Sequence, residues 1–288
     1  MQHENIVPVR GLREAVLLTP EDGPPGDSQL YAYIAPTFPE AIRGASGSLY
    51  VWRAGRGQGI DDNPSTDDVT EGETLSGRFS RISREENTDA ATLEAAAGLK
   101  DGFDFSRLED AAVGRGGPGE VYLAETGALN SKSTRGRLYR LRIDPGDPRR
   151  AELTLLIDGD RQAAAGAPVR LVNPDNVDTS ARSVVIQEDR ALEHRGSEVE
   201  GGFSRVLVYD LASGALRAVA RVATPSSLEP GEWESSGMTN AFELLGDHTW
   251  LLDVQAHRQI ASQPGPDLEP GSSSGEDGQL LAIRIPGS

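Results

Sequence analysis

Short apolar runs alternate along this chain with clusters of Gly, Pro, Asp and Ser. The runs carry aromatic and β-branched residues, and runs of this length between turn-forming residues read as strands rather than helices. Arg137 to Ile143 shows the half-buried form: Tyr139, Leu141 and Ile143 alternate with Arg140 and Arg142, which gives one apolar and one polar face. A helix-like run stands at Ala90 to Leu99.

The strands group into four units. The first spans Glu14 to Ile82, with strands predicted at Ala15 to Thr19, Leu30 to Ala35, Ser48 to Arg53 and Arg78 to Ile82. The second begins at Glu109 and continues through Val121 to Glu125, Arg137 to Ile143 and Leu153 to Ile157. The third holds the stretch after Asp175, then Ser183 to Glu188, Arg205 to Leu211 and Leu216 to Val222. The fourth follows Glu234 with Thr249 to Val254 and Gln279 to Ile285. It lacks a fourth strand, for which Ile6 to Val9 is the candidate, weakened by Pro8. Recurring strand units without an intervening amphipathic helix predict an all-β fold, and their radial arrangement is a β-propeller with four blade-like units. A single domain over residues 1–288 is expected. A polar stretch from Gly57 to Lys100 reads as an insertion and Gln259 to Asp277 as a polar loop.

Each later unit opens on an acidic motif: Arg107-Leu-Glu109-Asp110, Asn173-Pro-Asp175-Asn176 and Trp233-Glu234-Ser-Ser-Gly237. Glu109 and Asp175 lie 66 residues apart, and Asp175 and Glu234 lie 59 apart. The following strands end on Glu125, Glu188 and Asp253, at spacings of 63 and 65. Such a period implies that the chain returns a carboxylate to one place with each unit. Calcium takes oxygen ligands from carboxylates, amides and water, so Glu109, Asp175, Asn176 and Glu234 are candidate metal ligands. Taken singly, each is also an ordinary turn residue or strand-end cap. Glu125, Glu188, Asp189 and Asp253 lie one strand further out, where they either support those ligands or bond a neighbouring backbone or an arginine. His257, one of four histidines, is a candidate ligand, a candidate proton donor or a packed side chain.

Composition narrows the chemistry. The absence of cysteine excludes disulfides, thiolate ligands and cysteine nucleophiles. A formal charge of −17 opposes nucleic-acid binding, although a bound divalent cation would still admit a phosphate substrate. No apolar run approaches the roughly 18 residues of a membrane span, and no signal peptide is visible in this chain. Ser235 and Ser236 lack the glycine that precedes the serine of a nucleophile elbow. Gly114-Arg-Gly-Gly-Pro-Gly119 lacks the Lys-Ser/Thr of a phosphate loop and reads as a hairpin connection.

Several strings, taken in order, carry a family resemblance: Phe105-Ser-Arg-Leu-Glu109-Asp110, Pro174-Asp175-Asn176, Ile186-Gln-Glu188-Asp189, Arg205-Val-Leu-Val-Tyr-Asp210, Glu234-Ser-Ser-Gly237 and Leu252-Asp-Val-Gln-Ala-His257. Over most of residues 105–285 the chain resembles the C-terminal part of the PhoX-type alkaline phosphatases. That resemblance implies a propeller with an axial calcium pocket, hydrolysis of phosphate esters, and a secreted or periplasmic location. Typical members are longer at the N-terminus and have more blades. Iron-bearing members use a cysteine ligand, which argues against iron here. The expected chemistry is metal-dependent hydrolysis of a small-molecule phosphate ester, with His257 or an arginine meeting leaving-group charge. Two alternatives stand beside it: a calcium-dependent lactonase or phosphotriesterase, and a non-catalytic propeller that binds a partner and holds calcium structurally.

Overall fold

The computed structural model describes residues 5–23, 28–44, 46–55, 69–129, 131, 133–189, 202–224, 226, 228, 232–256 and 277–288. The fold is all-β with short helices between strands. In chain order its elements are β1 (Val7–Val9), β2 (Ala15–Pro20), β3 (Leu30–Ala35), α1 (Phe38–Arg43), β4 (Ser48–Ala54), β5 (Thr74–Ile82), α2 (Ala90–Leu99), β6 (Leu108–Val113), β7 (Glu120–Glu125) and β8 (Arg137–Ile143). There follow β9 (Arg150–Asp158), α3 (Gly159–Ala164), β10 (Pro174–Thr179), β11 (Ser183–Glu188), β12 (Arg205–Asp210), β13 (Leu216–Arg221), β14 (Trp233–Asn240), α4 (Phe242–Leu245), β15 (Thr249–Ala256) and β16 (Asp277–Arg284).

The strands form three antiparallel sheets. A nine-stranded sheet has the order β1-β2-β3-β4-β5-β9-β8-β7-β6, a second is β10 to β13, and a third is β14 to β16. The first is nearly closed, because Asn5, just ahead of β1, donates to the Asp110 carboxylate at 2.6 Å and to the Ala111 carbonyl at 3.2 Å on β6. An edge-to-face chain of rings, Trp52, Phe103, Phe105 and Tyr139, fills its interior. Pairs of this kind add about 0.5–1.5 kcal/mol each beyond the burial of their area.

The second sheet sits between the other two. Along β11, Val184 and Ile186 pack with Tyr122, Leu138 and Ile157 of the first sheet. Val185 packs with Met238, Trp250 and Leu252 of the third. A strand covered on both faces needs a continuous apolar run rather than an alternating one, which is why Ser183 to Glu188 shows no alternation.

Three expectations are corrected. Val7–Val9 does not complete the fourth unit but pairs with β2, and the third sheet keeps three strands. Val7 and Val9 are buried while Pro8 is exposed, and an edge strand tolerates the donor that proline lacks. The first and second units are not separate sheets, because β5 continues into β9 through the pairs Thr74↔Thr154 to Arg78↔Arg150. Nor is Gly57 to Lys100 wholly an insertion: β5 belongs to the sheet, and α2 buries Leu93, Ala96 and Ala97 against Tyr31, Val51 and Ile82. The early part of β5 is masked in the sequence pattern by Gly77, where a Cβ would collide with the Arg53 carbonyl and lie 2.6 Å from the Trp52 ring. Glycine, an ordinary breaker in a strand pattern, is here required by close approach. Residues 56–68, and residues 257–276 including His257, lie outside the described residues.

Candidate functional site

The strands β6, β10 and β14 belong to different ladders, yet β10 lies against both β6 and β14. Side chains bridge the gaps. Asp110 accepts from the Val177 amide at 2.8 Å, and Thr179 donates its hydroxyl to the Val113 carbonyl at 2.6 Å. Between β10 and β14, Asp178 accepts from the Asn240 amide at 2.6 Å. Asn176 accepts from the Ser236 hydroxyl at 2.8 Å and the Gly237 amide at 2.9 Å. Buried backbone groups without a ladder partner must be satisfied in this way.

A cavity of about 430 Å³ runs between these strands and β1. Asn5, Asp110, Asn176, Asp178 and Thr239 are its polar lining, and none of its lining residues is basic. Burial pushes the Asp110 carboxyl up to about 6, against its donors from Val177, Asn5 and Ala111, and repulsion from Asp178 works in the same direction as burial. Burial raises Asp178 as well.

Of the candidate ligands named from the sequence only Asn176 lines this cavity; Glu109 and Asp175 each stand one residue before a lining residue, Asp110 and Asn176, at the heads of β6 and β10. Glu109 is the extra residue of a bulge between Leu108 and Asp110, and Asp175 of a bulge between Pro174 and Asn176. In both strands the second residue before the bulged acid is left-handed, Arg107 at φ 63° and Asn173 at φ 47°. The partner residues also match: Leu108 pairs with Glu125 and Pro174 with Glu188. The repeated sequence spacing is thus a repeated local structure, with bulges re-aiming one acid in each strand. Glu234, at the start of β14, is buried, but the bulge of β14 falls later, between Ser236 and Thr239. The third motif therefore does not repeat the first two.

Partners define what these groups can do. Arg107 donates to Glu109 at 2.5 Å and bidentately to Asp22 at 2.9 and 3.1 Å. Burial opposes the charge of Arg107, but Asp22, Glu109 and Asp189 together raise its pKa. Glu188 and Arg205 are both fully buried and joined at 2.7 and 2.8 Å, and Glu188 also accepts from the Val172 amide at 3.0 Å. Glu125, opposite Arg137, is fully buried and accepts from the Ser106 amide and the Tyr139 hydroxyl, each at 3.2 Å. Burial pushes its carboxyl up to about 7, against the pull of Arg137. Asp189 donates its backbone amide to the Asn173 carbonyl at 3.1 Å, and Asp253 is an exposed residue of β15. Of the two readings of the outer acids, arginine and backbone bonding is the one that Glu125 and Glu188 display.

All the candidate ligands are oxygen donors of the kind calcium takes. As placed, however, they do not fit an ion. Among the described residues no three His, Asp or Glu side chains gather closely enough to hold a metal. Glu109 is closed by Arg107, and the Asn176 side-chain oxygen already accepts two donors.

Two features have no signal in the acid spacing. Asp110 and Asp178 line the cavity, and only knowledge of which strands become neighbours reveals that. A row of arginines across β4, β5 and β9 is likewise a product of pairing. No family model, curated protein or solved structure matches this chain.

Proposed function

We propose that the chain is a β-propeller hydrolase of phosphate esters related to the PhoX-type phosphatases, acting at the cavity head between β6, β10 and β14. One observation carries this reading: the strings Arg107–Asp110 and Asn173–Asn176, which bear the resemblance, occupy equivalent positions in two adjacent first strands. Each has a left-handed residue, a bulged acid and a buried glutamate opposite. Support for the propeller comes from sheets whose first strands surround one cavity.

In this proposal the chain's own groups shape the site. Bulges turn Glu109 and Asp175 out of their ladders, and Arg107 fixes Glu109. Asp110 is the cavity-lining acid positioned to exchange a proton just below neutral pH, because burial raises its carboxyl to about 6. The described residues as placed do not fit calcium, so the proposed site rests on the chain's own side chains.

The test is a panel of a phosphomonoester, a phosphodiester, a phosphotriester and a lactone, assayed with added calcium and with chelator. Turnover of a phosphomonoester above the other three is expected. Turnover of the triester or the lactone alone moves the chain to the neutral-ester class. No turnover of any member leaves a binding module, a reading favoured by the pairing of Glu109 with Arg107 and of Glu188 with Arg205.

A further inference from the structure

A second recess, of about 1090 Å³, lies over the seam where β5 joins β9. Arg53, Arg78, Arg142, Arg149 and Arg150 line it. Three of them form a row. Arg53 on β4 is directly opposite Arg78 on β5, and Arg78 is directly opposite Arg150 on β9. Directly opposed residues of neighbouring strands point to the same face, and like charges there are destabilising. The row crosses three strands, a span of about 10 Å.

Their own partners neutralise these charges unequally. Arg149 is held bidentately by Glu14 and lies over the Tyr50 ring. Arg53 pairs with Asp101 at 3.2 Å and Arg142 with Glu120 at 3.3 Å. Arg150 has a side chain 75% exposed and reaches Asp147 only at 3.9 Å. Arg78 is exposed, and no ion pair engages it among the described residues. Four carboxylates, Glu120, Asp144, Asp147 and Glu152, share the recess with the five arginines. Glu14 and Asp101 answer Arg149 and Arg53 from outside it, so Arg78 and Arg150 are the cations of the recess left least neutralised, in a chain whose formal charge is −17.

The geometry points to a binding site for a small, extended, multiply charged oxyanion of the oligophosphate kind, held by the row Arg53, Arg78 and Arg150. Guanidinium groups match phosphate oxygens in planar, often bidentate pairs. An anion spread across the row meets all three cations and removes the repulsion between them. A single phosphate reaches only part of it. This site lies at the β5–β9 seam and does not depend on the reading of the cavity head as a hydrolase centre.

Tripolyphosphate and inorganic phosphate are the probes, titrated calorimetrically into the full chain without added metal. Tripolyphosphate is expected to bind at least about tenfold more tightly than phosphate, and more weakly when salt is raised to about 0.5 M. The double variant Arg78→Gln/Arg150→Gln loses that binding by about tenfold or more while melting no lower than wild type, because it removes opposed like charges. Arg84→Gln, an exposed arginine outside the recess, keeps wild-type binding. Equal binding of the two probes, undiminished binding by the double variant, or no binding of tripolyphosphate would overturn the assignment. Hydrolysis of phosphomonoesters is not an outcome of this titration, so its presence or absence leaves the test intact.

Discussion

The cavity between β1, β6, β10 and β14 and the recess over β4, β5 and β9 carry opposite charges, and they hold those charges in opposite ways. In the cavity Asp110 and Asp178 are each committed to a backbone amide of the next strand. In the recess Arg53, Arg78 and Arg150 face one another across neighbouring strands. Acids satisfied by backbone donors knit together strands that share no ladder. Opposed arginines do the reverse, and a fold that keeps them gains nothing structural from the row. Charge alone therefore does not mark a functional surface; whether the rest of the fold already answers that charge is the better guide.

The most strongly answered charges should be the most costly to disturb. Glu188→Gln leaves Arg205 buried without its counter-charge, and a loss of about 3–5 kcal/mol is expected in urea unfolding. Replacing both partners by apolar residues, Glu188→Leu with Arg205→Met, should recover most of that loss. A cost below about 1 kcal/mol for Glu188→Gln would show that burial is not what sets the worth of these pairs.

A smaller effect follows from the buried carboxyls. Asp110 is raised from 3.8 to about 6 and Glu125 from 4.5 to about 7. Between about pH 4 and pH 7 the folded protein thus holds protons that the unfolded chain has released. Their contribution to stability is full below that window and is lost as pH rises through it. The sign is opposite to that of a salt-bridged carboxylate. In urea midpoints measured against pH, Asp110→Asn should flatten the lower part of the decline and Glu125→Gln the upper part. Identical profiles for wild type and both variants would contradict the raised values.

The smallest effect is expected at Arg107. Its side chain is 35% exposed, so solvent screens its pairs with Asp22 and Glu109, and Arg107→Gln should change stability by about 0–1 kcal/mol. A loss as large as that of Glu188→Gln would place Arg107 among the buried structural pairs and weaken the contrast.

Local features of the fold are legible in the order of residues. Leu30–Ala35, Arg137–Ile143 and Ser183–Glu188 stand where their apolar patterning predicts, and α2 covers the expected Ala90–Leu99. What escapes such patterning is non-local. Nothing within β5 or β9 announces that they pair, and Val7–Val9 carries no label naming β2 as its partner. The acid spacing correctly marks equivalent positions at Glu109 and Asp175, because a bulge and a left-handed residue recur there. It extends to Glu234 by periodicity alone, where the bulge lies elsewhere. Asp110 and Asn176, one residue beyond each bulged acid, bridge to the next strand, which only strand adjacency could reveal.

The proposed hydrolytic site rests on the bulged acids at the heads of β6 and β10, and turnover of a phosphomonoester by Asp175→Asn beside Glu71→Gln tests it most directly. Glu71 is an exposed acid away from the cavity, whose carboxylate accepts from the Asp158 amide at 3.2 Å. With both variants shown to be folded, Asp175→Asn should lose about a hundredfold or more in kcat/KM and Glu71→Gln less than about twofold. Equal losses in the two variants, or none in either, would mean that the repeated acids belong to strand geometry and carry no catalytic site.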